Sequence, residues 1–161
     1  MTKKIYLAGA MRRKGRWRDR ETKWFQERSL VVFNPWVEEV PILQKYDIDP
    51  KLMHSGNSHK LDDKTKKLFY SEVLKYDFSF IKHKVRFLIV RFAEPTVGTC
   101  GEMGLAFSQN IPIHVVNVSG KKPPHSLIGF ATTIHENFDQ LHNYLRVKYR
   151  LKKTKQGGKK T

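Results

Sequence analysis

The sequence predicts one α/β domain with a mostly parallel, five-stranded sheet flanked by helices. Short apolar runs bounded by Gly, Pro or Asn alternate along the chain with longer segments of helical spacing. This alternation is typical of βα units, whose strands run parallel. A length of 161 residues and a hydrophobic content of 39% suit a single domain with a real core.

The strands are predicted from the apolar runs, of which the first, KIYLAG at residues 4–9, ends in glycine. The other strands are predicted at residues 30–33, 85–90, 111–116 and 130–134, and helices at residues 17–28, 63–81, 98–109 and 137–151. Residues 35–62 have no convincing period and are interrupted by Pro41 and Pro50. We therefore predict a domain over residues 1–150, with residues 35–62 as an irregular insertion or lid.

The net charge of +16 is spread unevenly along the chain. Residues 146–161 hold eight Lys or Arg and no acid, and residues 151–161 are predicted to be a disordered basic tail. A second basic cluster, MRRKGRWR at residues 11–18, follows the first strand. Such charge either serves solubility with non-specific nucleic-acid contact or attracts phosphorylated small molecules, and both interpretations stay open.

Several classes of protein are disfavoured by the composition. No stretch approaches the roughly 18–20 apolar residues of a membrane span, and the first apolar run is too short for a secretory signal. A single Cys makes no internal disulfide, so we expect an intracellular, cytoplasmic protein. The seven His lack zinc-site spacing, and no metal or cofactor is expected.

Three candidate ligand-binding segments follow predicted strands: AGAMR at residues 8–12, NPW at 34–36 and TVGTCGE at 96–102. In open α/β sheets, ligands bind beyond the carboxyl ends of the strands, near the point where the strand order reverses. We therefore expect these segments to line one crevice.

The carboxylate of Glu102 is the first candidate for chemistry in this crevice. With Thr99 it fits the capping box S/T-x-x-E, which places it in the first helical turn, where amide dipoles would keep it ionised. A cap does not explain Gly98, Gly101 and Gly104, since each glycine weakens a helix by about 1 kcal/mol. They indicate close approach of a ligand to the backbone. Cys100 is a less favoured nucleophile, because a buried structural Cys is commoner.

Asp77 is the second candidate. It lies late in the helix predicted at residues 63–81, where a carboxylate is disfavoured by the helix dipole. A solvated acid at a helix end and an acid with a functional partner are both consistent with this position.

Three blocks of the sequence together resemble the nucleoside 2-deoxyribosyltransferase superfamily. They are KIYLAGAM at residues 4–11, DFSFIK at 77–82 and VGTCGEMGLA at 97–106, in the family's order and spacing over roughly residues 3–131. The resemblance implies a flavodoxin-like fold and cleavage of the N-glycosidic bond between a sugar and a nucleobase. It also implies that Glu102 is the nucleophile, Asp77 the acid that assists base departure, and Tyr6 the residue that orients the nucleophile.

Two positions resemble the branch of this superfamily that hydrolyses nucleoside 5′-monophosphates. Thr96 stands where deoxyribosyltransferases of free nucleosides have Asp, and Ser126 stands where they have Asn. Arg12 matches the first-loop Arg of the monophosphate branch, whereas Ala10 departs from its Ser. The implied substrate-binding residues are Gly9, Arg12, Thr96, Gly98 and Ser126. In the family the residue at the Ser126 position reaches a neighbouring subunit's site, which implies a homodimer or larger assembly.

The expected function is hydrolysis of the N-glycosidic bond of a nucleoside or deoxynucleoside 5′-monophosphate. One alternative is base exchange between free deoxynucleosides, and a second is a non-catalytic, basic nucleic-acid-binding module. Residues 98–102 also resemble the G-T-x-x-E end of the motif of the cytokinin-activating phosphoribohydrolases. The paired glycines of that motif are absent before Gly98, so the resemblance to this family is weaker.

Overall fold

The computed structural model describes residues 4–9, 17–49 and 61–151. Within these ranges the chain forms five strands and seven helices. In order they are β1 (Lys4–Gly9), α1 (Trp17–Gln26), β2 (Val32–Phe33), α2 (Pro35–Glu38), α3 (Val40–Lys45), α4 (Asp63–Lys84), β3 (Val85–Phe92), α5 (Val97–Ser108), β4 (Ile113–Asn117), α6 (His125–Phe130), β5 (Thr133–His135) and α7 (Phe138–Lys148).

The strands form one sheet in the order β2-β1-β3-β4-β5, and every pair is parallel. This is the flavodoxin-like, doubly wound order. The predicted fold class is therefore confirmed. β1 lies between β2 and β3, paired with β2 through Ile5 and Tyr6 and with β3 from Lys4 to Gly9. The carboxyl ends of β1, β2 and β3 consequently meet at one edge of the sheet.

Both faces of the sheet are buried, as expected where helices cover a parallel sheet on each side. Alternate residues of β1 and β3 belong to two separate apolar clusters. Ile5 and Phe87 pack in the cluster that contains residues of α1 and α7. Tyr6 and Leu88 pack in the cluster that contains residues of α4 and α5. The phenol of Tyr6 therefore points to the α4 and α5 side.

Three helices begin at side-chain caps. Asp62 accepts from the Thr65 amide at 2.9 Å before α4, and Asn137 accepts from the Gln140 amide at 2.9 Å before α7. Thr96 accepts from the Thr99 amide at 3.3 Å before α5. The capping residue of α5 is thus Thr96, and the expectation that Thr99 caps this helix is wrong. Glu102 accordingly lies in the second turn of α5.

Part of the segment expected to be irregular is helical. α2 and α3 occupy Pro35–Glu38 and Val40–Lys45, and α3 packs Ile42 and Leu43 against Phe69 of α4 in a small third cluster. The expectation of an irregular insertion over residues 35–62 is therefore wrong for residues 35–45. Residues 50–60 and the predicted tail beyond residue 151 lie outside the described residues.

The predicted and observed elements also differ near the end of the domain. The strand predicted at residues 130–134 is found at Thr133–His135, because α6 extends through Phe130. β4 is joined to β5 and α7 by a buried chain of hydrogen bonds through His114. Its Nδ1 lies 2.9 Å from Thr133 Oγ1 and its Nε2 lies 3.0 Å from the Tyr149 hydroxyl.

The apolar face of α1 contains a fully buried acid, Glu21. Its carboxylate contacts Nε2 of His142 on α7 at 2.5 Å and Nε of Arg20 at 3.1 Å. The imidazole of His142 stacks on Trp24 with ring centroids 3.8 Å apart. This contact ties the first helix to the last one. None of the helices in the described ranges is long and apolar enough to cross a membrane.

Candidate active site

A hydrogen bond between Tyr6 and Glu102 is the centre of the site. The Tyr6 hydroxyl donates to Oε1 of Glu102 at 2.7 Å, across 96 residues of sequence. The Tyr6 ring is fully buried in β1 and stacks on Phe33 of β2 with centroids 5.1 Å apart. The phenol is therefore held rigidly against the nucleophile candidate.

Asp77 joins this pair from α4. It lies seven residues before the end of the helix at Lys84, and only 4% of its surface is exposed. Of the two alternatives left open for Asp77, the solvated acid at a helix end is therefore wrong. Tyr6 and Glu39 lie close enough to Asp77 to act on its pKa. Its Oδ1 atom is buried and has no hydrogen-bond partner among the described residues, so that oxygen is available to a ligand.

Glu39 is a fourth member of the site that the sequence did not reveal. It lies between α2 and α3, is 4% exposed, and hydrogen-bonds to Asp77. The position of NPW at the end of β2 predicted the crevice, but no periodicity indicated whether Glu38 or Glu39 faces inwards. The four-residue helix α2 is too short to give such a signal.

Arg18 supplies the positive charge of the site. It is the second residue of α1 and is 5% exposed. Its Nη2 donates to the Gly9 carbonyl at 2.8 Å and its Nε to the Leu7 carbonyl at 3.4 Å, which fixes it at the carboxyl end of β1. It interacts electrostatically with Glu102, Tyr6, Glu39 and Asp77. Among the described residues, the guanidinium of Arg18 thus interacts with all three carboxyl groups.

The three carboxyl groups are not all ionised at neutral pH. Burial raises the pKa of Glu102 to about 8, although the Tyr6 hydrogen bond and Arg18 act in the opposite direction. Burial and the charges of Asp77 and Glu102 raise the pKa of Glu39 to about 8. Burial raises the pKa of Asp77 to about 6, offset by hydrogen bonds from Tyr6 and Glu39. The expectation that the helix start keeps Glu102 ionised is therefore wrong for the unliganded site.

These contacts form a continuous chain, Glu39–Asp77–Tyr6–Glu102. In it, Tyr6 donates its hydrogen bond to Glu102 and interacts electrostatically with Asp77. Moving a proton from Glu102 to Asp77 would leave the net charge of the site unchanged. Groups coupled in this way titrate as a set rather than singly. The arrangement can thus present an ionised Glu102 and a protonated Asp77 without taking up or releasing a proton.

Two of the glycines predicted to contact substrate differ in their surroundings. Gly9 has φ +151°, and a Cβ there would lie 3.0 Å from the Arg91 carbonyl oxygen and 3.2 Å from the Trp17 ring. Packing alone therefore requires a glycine at that position. Gly98, in the first turn of α5, is exposed and has open space where a Cβ would lie.

Thr96 lies beside Gly98 at the start of α5. Its hydroxyl donates to Thr99 Oγ1 at 2.8 Å while accepting from the Thr99 amide. The side chain is thus engaged in capping the helix. The first amides of any α-helix have no intrahelical partner, which makes this helix start suitable for an anion.

The remaining candidate site residues are Ser126, Arg12 and Cys100. Ser126 is exposed in the first turn of α6, after the carboxyl end of β4. Arg12 lies outside the described residues. Cys100 is exposed rather than buried, which corrects the expectation of a small buried thiol. Among the described residues, no group of three or more His, Cys, Asp or Glu is arranged to hold a metal ion.

The fold and the carboxyl network define a flavodoxin-like α/β domain with an acidic crevice at the carboxyl edge of its sheet. A 2-deoxyribosyltransferase from the psychrotolerant bacterium Bacillus psychrosaccharolyticus has a similar solved structure, with a TM-score of 0.60 and 13% identity. The similarity covers 92% of this chain and 97% of that one, and at this identity it establishes a common fold. No protein-family model matches the sequence, and no curated protein matches it either.

Proposed function

We propose that the protein hydrolyses the N-glycosidic bond of a nucleoside or deoxynucleoside 5′-monophosphate. The observation that carries the proposal is the 2.7 Å hydrogen bond between Tyr6 and Glu102, together with the buried carboxyl group of Asp77 that interacts with both. An oxocarbenium-like transition state requires an anion beneath the anomeric carbon and a proton donor near the leaving base. Two carboxyl groups joined through a phenol can supply both.

The reaction would proceed in two steps. An ionised Glu102 attacks the anomeric carbon, and the bond to the base breaks while protonated Asp77 gives its proton to the departing base. Water, deprotonated by Asp77, then attacks the anomeric carbon and displaces Glu102. The products are the free base and ribose 5-phosphate or its deoxy form. The proton taken from water leaves Asp77 protonated again, and Glu102 departs as a carboxylate, so the site returns to its starting state.

The phosphate is assigned from local chemistry near the start of α5. An Asp in place of Thr96 would repel a phosphate dianion, whereas free amides at a helix start attract one. Arg12 and Ser126 are the other proposed phosphate contacts. Because Ser126 is exposed in this single chain, we propose that it contacts substrate across a homodimer interface.

The test is incubation with a panel of nucleosides and their 5′-monophosphates, followed by chromatography of free base. We expect base release from monophosphates, and Glu102→Gln should lower it by at least about 1,000-fold, since this isosteric change removes the nucleophile. Glu94→Gln, an exposed acid in the loop before α5, is the matched control and should retain activity. Equal or faster cleavage of unphosphorylated nucleosides would contradict the phosphate assignment.

A second base added to the reaction separates hydrolysis from base exchange. Formation of a new nucleoside would favour the deoxyribosyltransferase alternative, in which a base replaces water as the acceptor. Base release that is unaffected by Glu102→Gln would contradict the assigned nucleophile under either reaction.

A further inference from the structure

The amino-terminal edge of the sheet, opposite the carboxyl crevice, is strongly basic. In a parallel sheet all strands begin at the same edge, and the helices that precede them end there. Six cationic side chains lie at these strand starts and helix ends: Lys4, Lys82, Lys84, Arg86, Lys148 and Arg150. We call this edge the strand-start face.

Contacts between cations and aromatic rings make this face continuous across neighbouring elements. The ammonium groups of Lys4 and Lys84 lie 5.3 and 5.7 Å from the centroid of the same Phe80 ring. The guanidinium of Arg86 lies 4.9 Å from the ring of Tyr149, which follows α7. The face therefore extends from β1 across β3 to the end of the last helix.

Acids are nearly excluded from this face. Of the 15 Asp and Glu in the sequence, Glu27 alone lies in the strand-start segments that the structure describes, residues 27–31, 82–86, 108–112, 131–132 and 147–151. Glu27 is already paired with Arg28, Oε2 to Nη1 at 3.7 Å. Arg28 in turn is close enough to Arg146 for the like charge to lower its pKa, after the larger effect of burial. Positive side chains therefore outnumber acids at the described strand starts, where Glu27 is the one acid.

We propose that the strand-start face binds the phosphate backbone of nucleic acid without reading its sequence. Neutralisation of closely spaced cations by phosphates and release of condensed counterions would supply the affinity. An anionic membrane is a poorer fit, because the aromatic rings of this face lie beneath the cations and Phe80 is only 5% exposed. The large apolar residues exposed there among the described residues are Val31, Phe107, Ile128 and Val147, one from each of four segments, whereas an interfacial helix collects its Trp, Phe and Leu anchors on one face.

This inference does not depend on the proposed reaction, since the face and the crevice are at opposite edges of the sheet. The test uses the full chain and fluorescence anisotropy of labelled DNA and RNA strands of about 20 nucleotides. The triple variant Lys82→Gln, Lys84→Gln, Arg86→Gln removes three charges from the face. The control Lys64→Gln, Lys67→Gln, Lys75→Gln removes the same charge from exposed or nearly exposed positions nearer the start of the helix that carries Lys82.

We expect the face variant to weaken binding at least about tenfold and to reduce the slope of log affinity against log salt by about 2 to 3. The control should change affinity by less than about twofold. Equal losses in the two variants would overturn the proposal, since net charge alone would then explain binding. It would also be overturned by undetectable binding, or by binding to vesicles of phosphatidylcholine and phosphatidylserine but not to nucleic acid.

Discussion

Replacing Glu39 with Gln should reduce the pH dependence of the protein's stability. The pKa of Glu39 is about 8 in the folded protein, against an ordinary value of 4.5. A carboxyl group with a raised pKa binds its proton more tightly when folded. Its contribution to stability is therefore complete below pH 4.5 and is lost as the pH rises towards 8.

The size of the effect follows from this range. At about 1.4 kcal/mol per pH unit, a lone group with this shift would lower the free energy of unfolding by roughly 5 kcal/mol between pH 4.5 and 8. Because Glu39 and Asp77 are hydrogen-bonded and titrate as a pair, Asp77 retains part of this dependence in the variant. We expect Glu39→Gln to remove about 2 kcal/mol or more of it. The Gln amide still offers a hydrogen-bond donor to Asp77, so the fold should be kept.

The assay is urea unfolding at pH 5 and pH 8.5, which requires no substrate. Relative to the wild type, the variant should gain stability at pH 8.5 more than at pH 5. Glu38→Gln is the matched control, because it removes the same type of side chain from the adjacent, less buried position. If Glu39→Gln and the wild type lose the same stability between the two pH values, Glu39 does not hold the proton that we assign to it.

Three further predictions concern other parts of the molecule. Tyr6→Phe removes the 2.7 Å hydrogen bond to Glu102, which is worth about 1.5–3 kcal/mol. Without this donor the pKa of Glu102 should rise, so the limb of the pH–rate profile that reports Glu102 should move to higher pH by about one unit or more. An unchanged profile would contradict this prediction. Gly98→Ala and Gly104→Ala each add a Cβ in open space and should raise stability, by up to about 1 kcal/mol at Gly104, where the helix interior penalises glycine most. Only Gly98→Ala should also slow base release, and equal activities would show that the space above Gly98 is not for substrate. Burial lowers the pKa of His114 to about 4, so its ring should show no NMR titration near pH 6.5, and stability from this group should fall as the pH drops from 6.5 towards 4.

The sheet was predictable because its strands are buried on both faces. Continuous apolar runs at β1 and β3 distinguish such strands from the amphipathic segments between them. The helices at Pro35–Glu38 and Val40–Lys45 were not predicted, because their prolines resemble breaks in structure. Each proline lies in the first turn of its helix, where no amide donor is required. Propensity cannot separate these two uses of proline in helices so short.

Tyr6, Asp77 and Glu102 were selected from the sequence, and the structure brings them together. Their protonation was not predictable, because it depends on burial and on Glu39 and Arg18, which come from distant segments. The prediction placed Glu102 in the first turn of its helix, whereas it lies in the second. Thr occurs at both 96 and 99, and either can begin a capping pattern, so only the fold decides which one does.

The contact between Glu21 and His142 bears on the order in which the site is completed. Glu21 lies three residues after Arg18 on the same helix, and its buried carboxylate is met by a side chain from α7. During synthesis His142 emerges 121 residues after Glu21. Until α7 docks, the helix that carries Arg18 holds an acid in apolar surroundings without His142 opposite it, a costly arrangement. Helix α7 therefore supports the crevice indirectly, because its His142 completes the surroundings of the helix that holds Arg18.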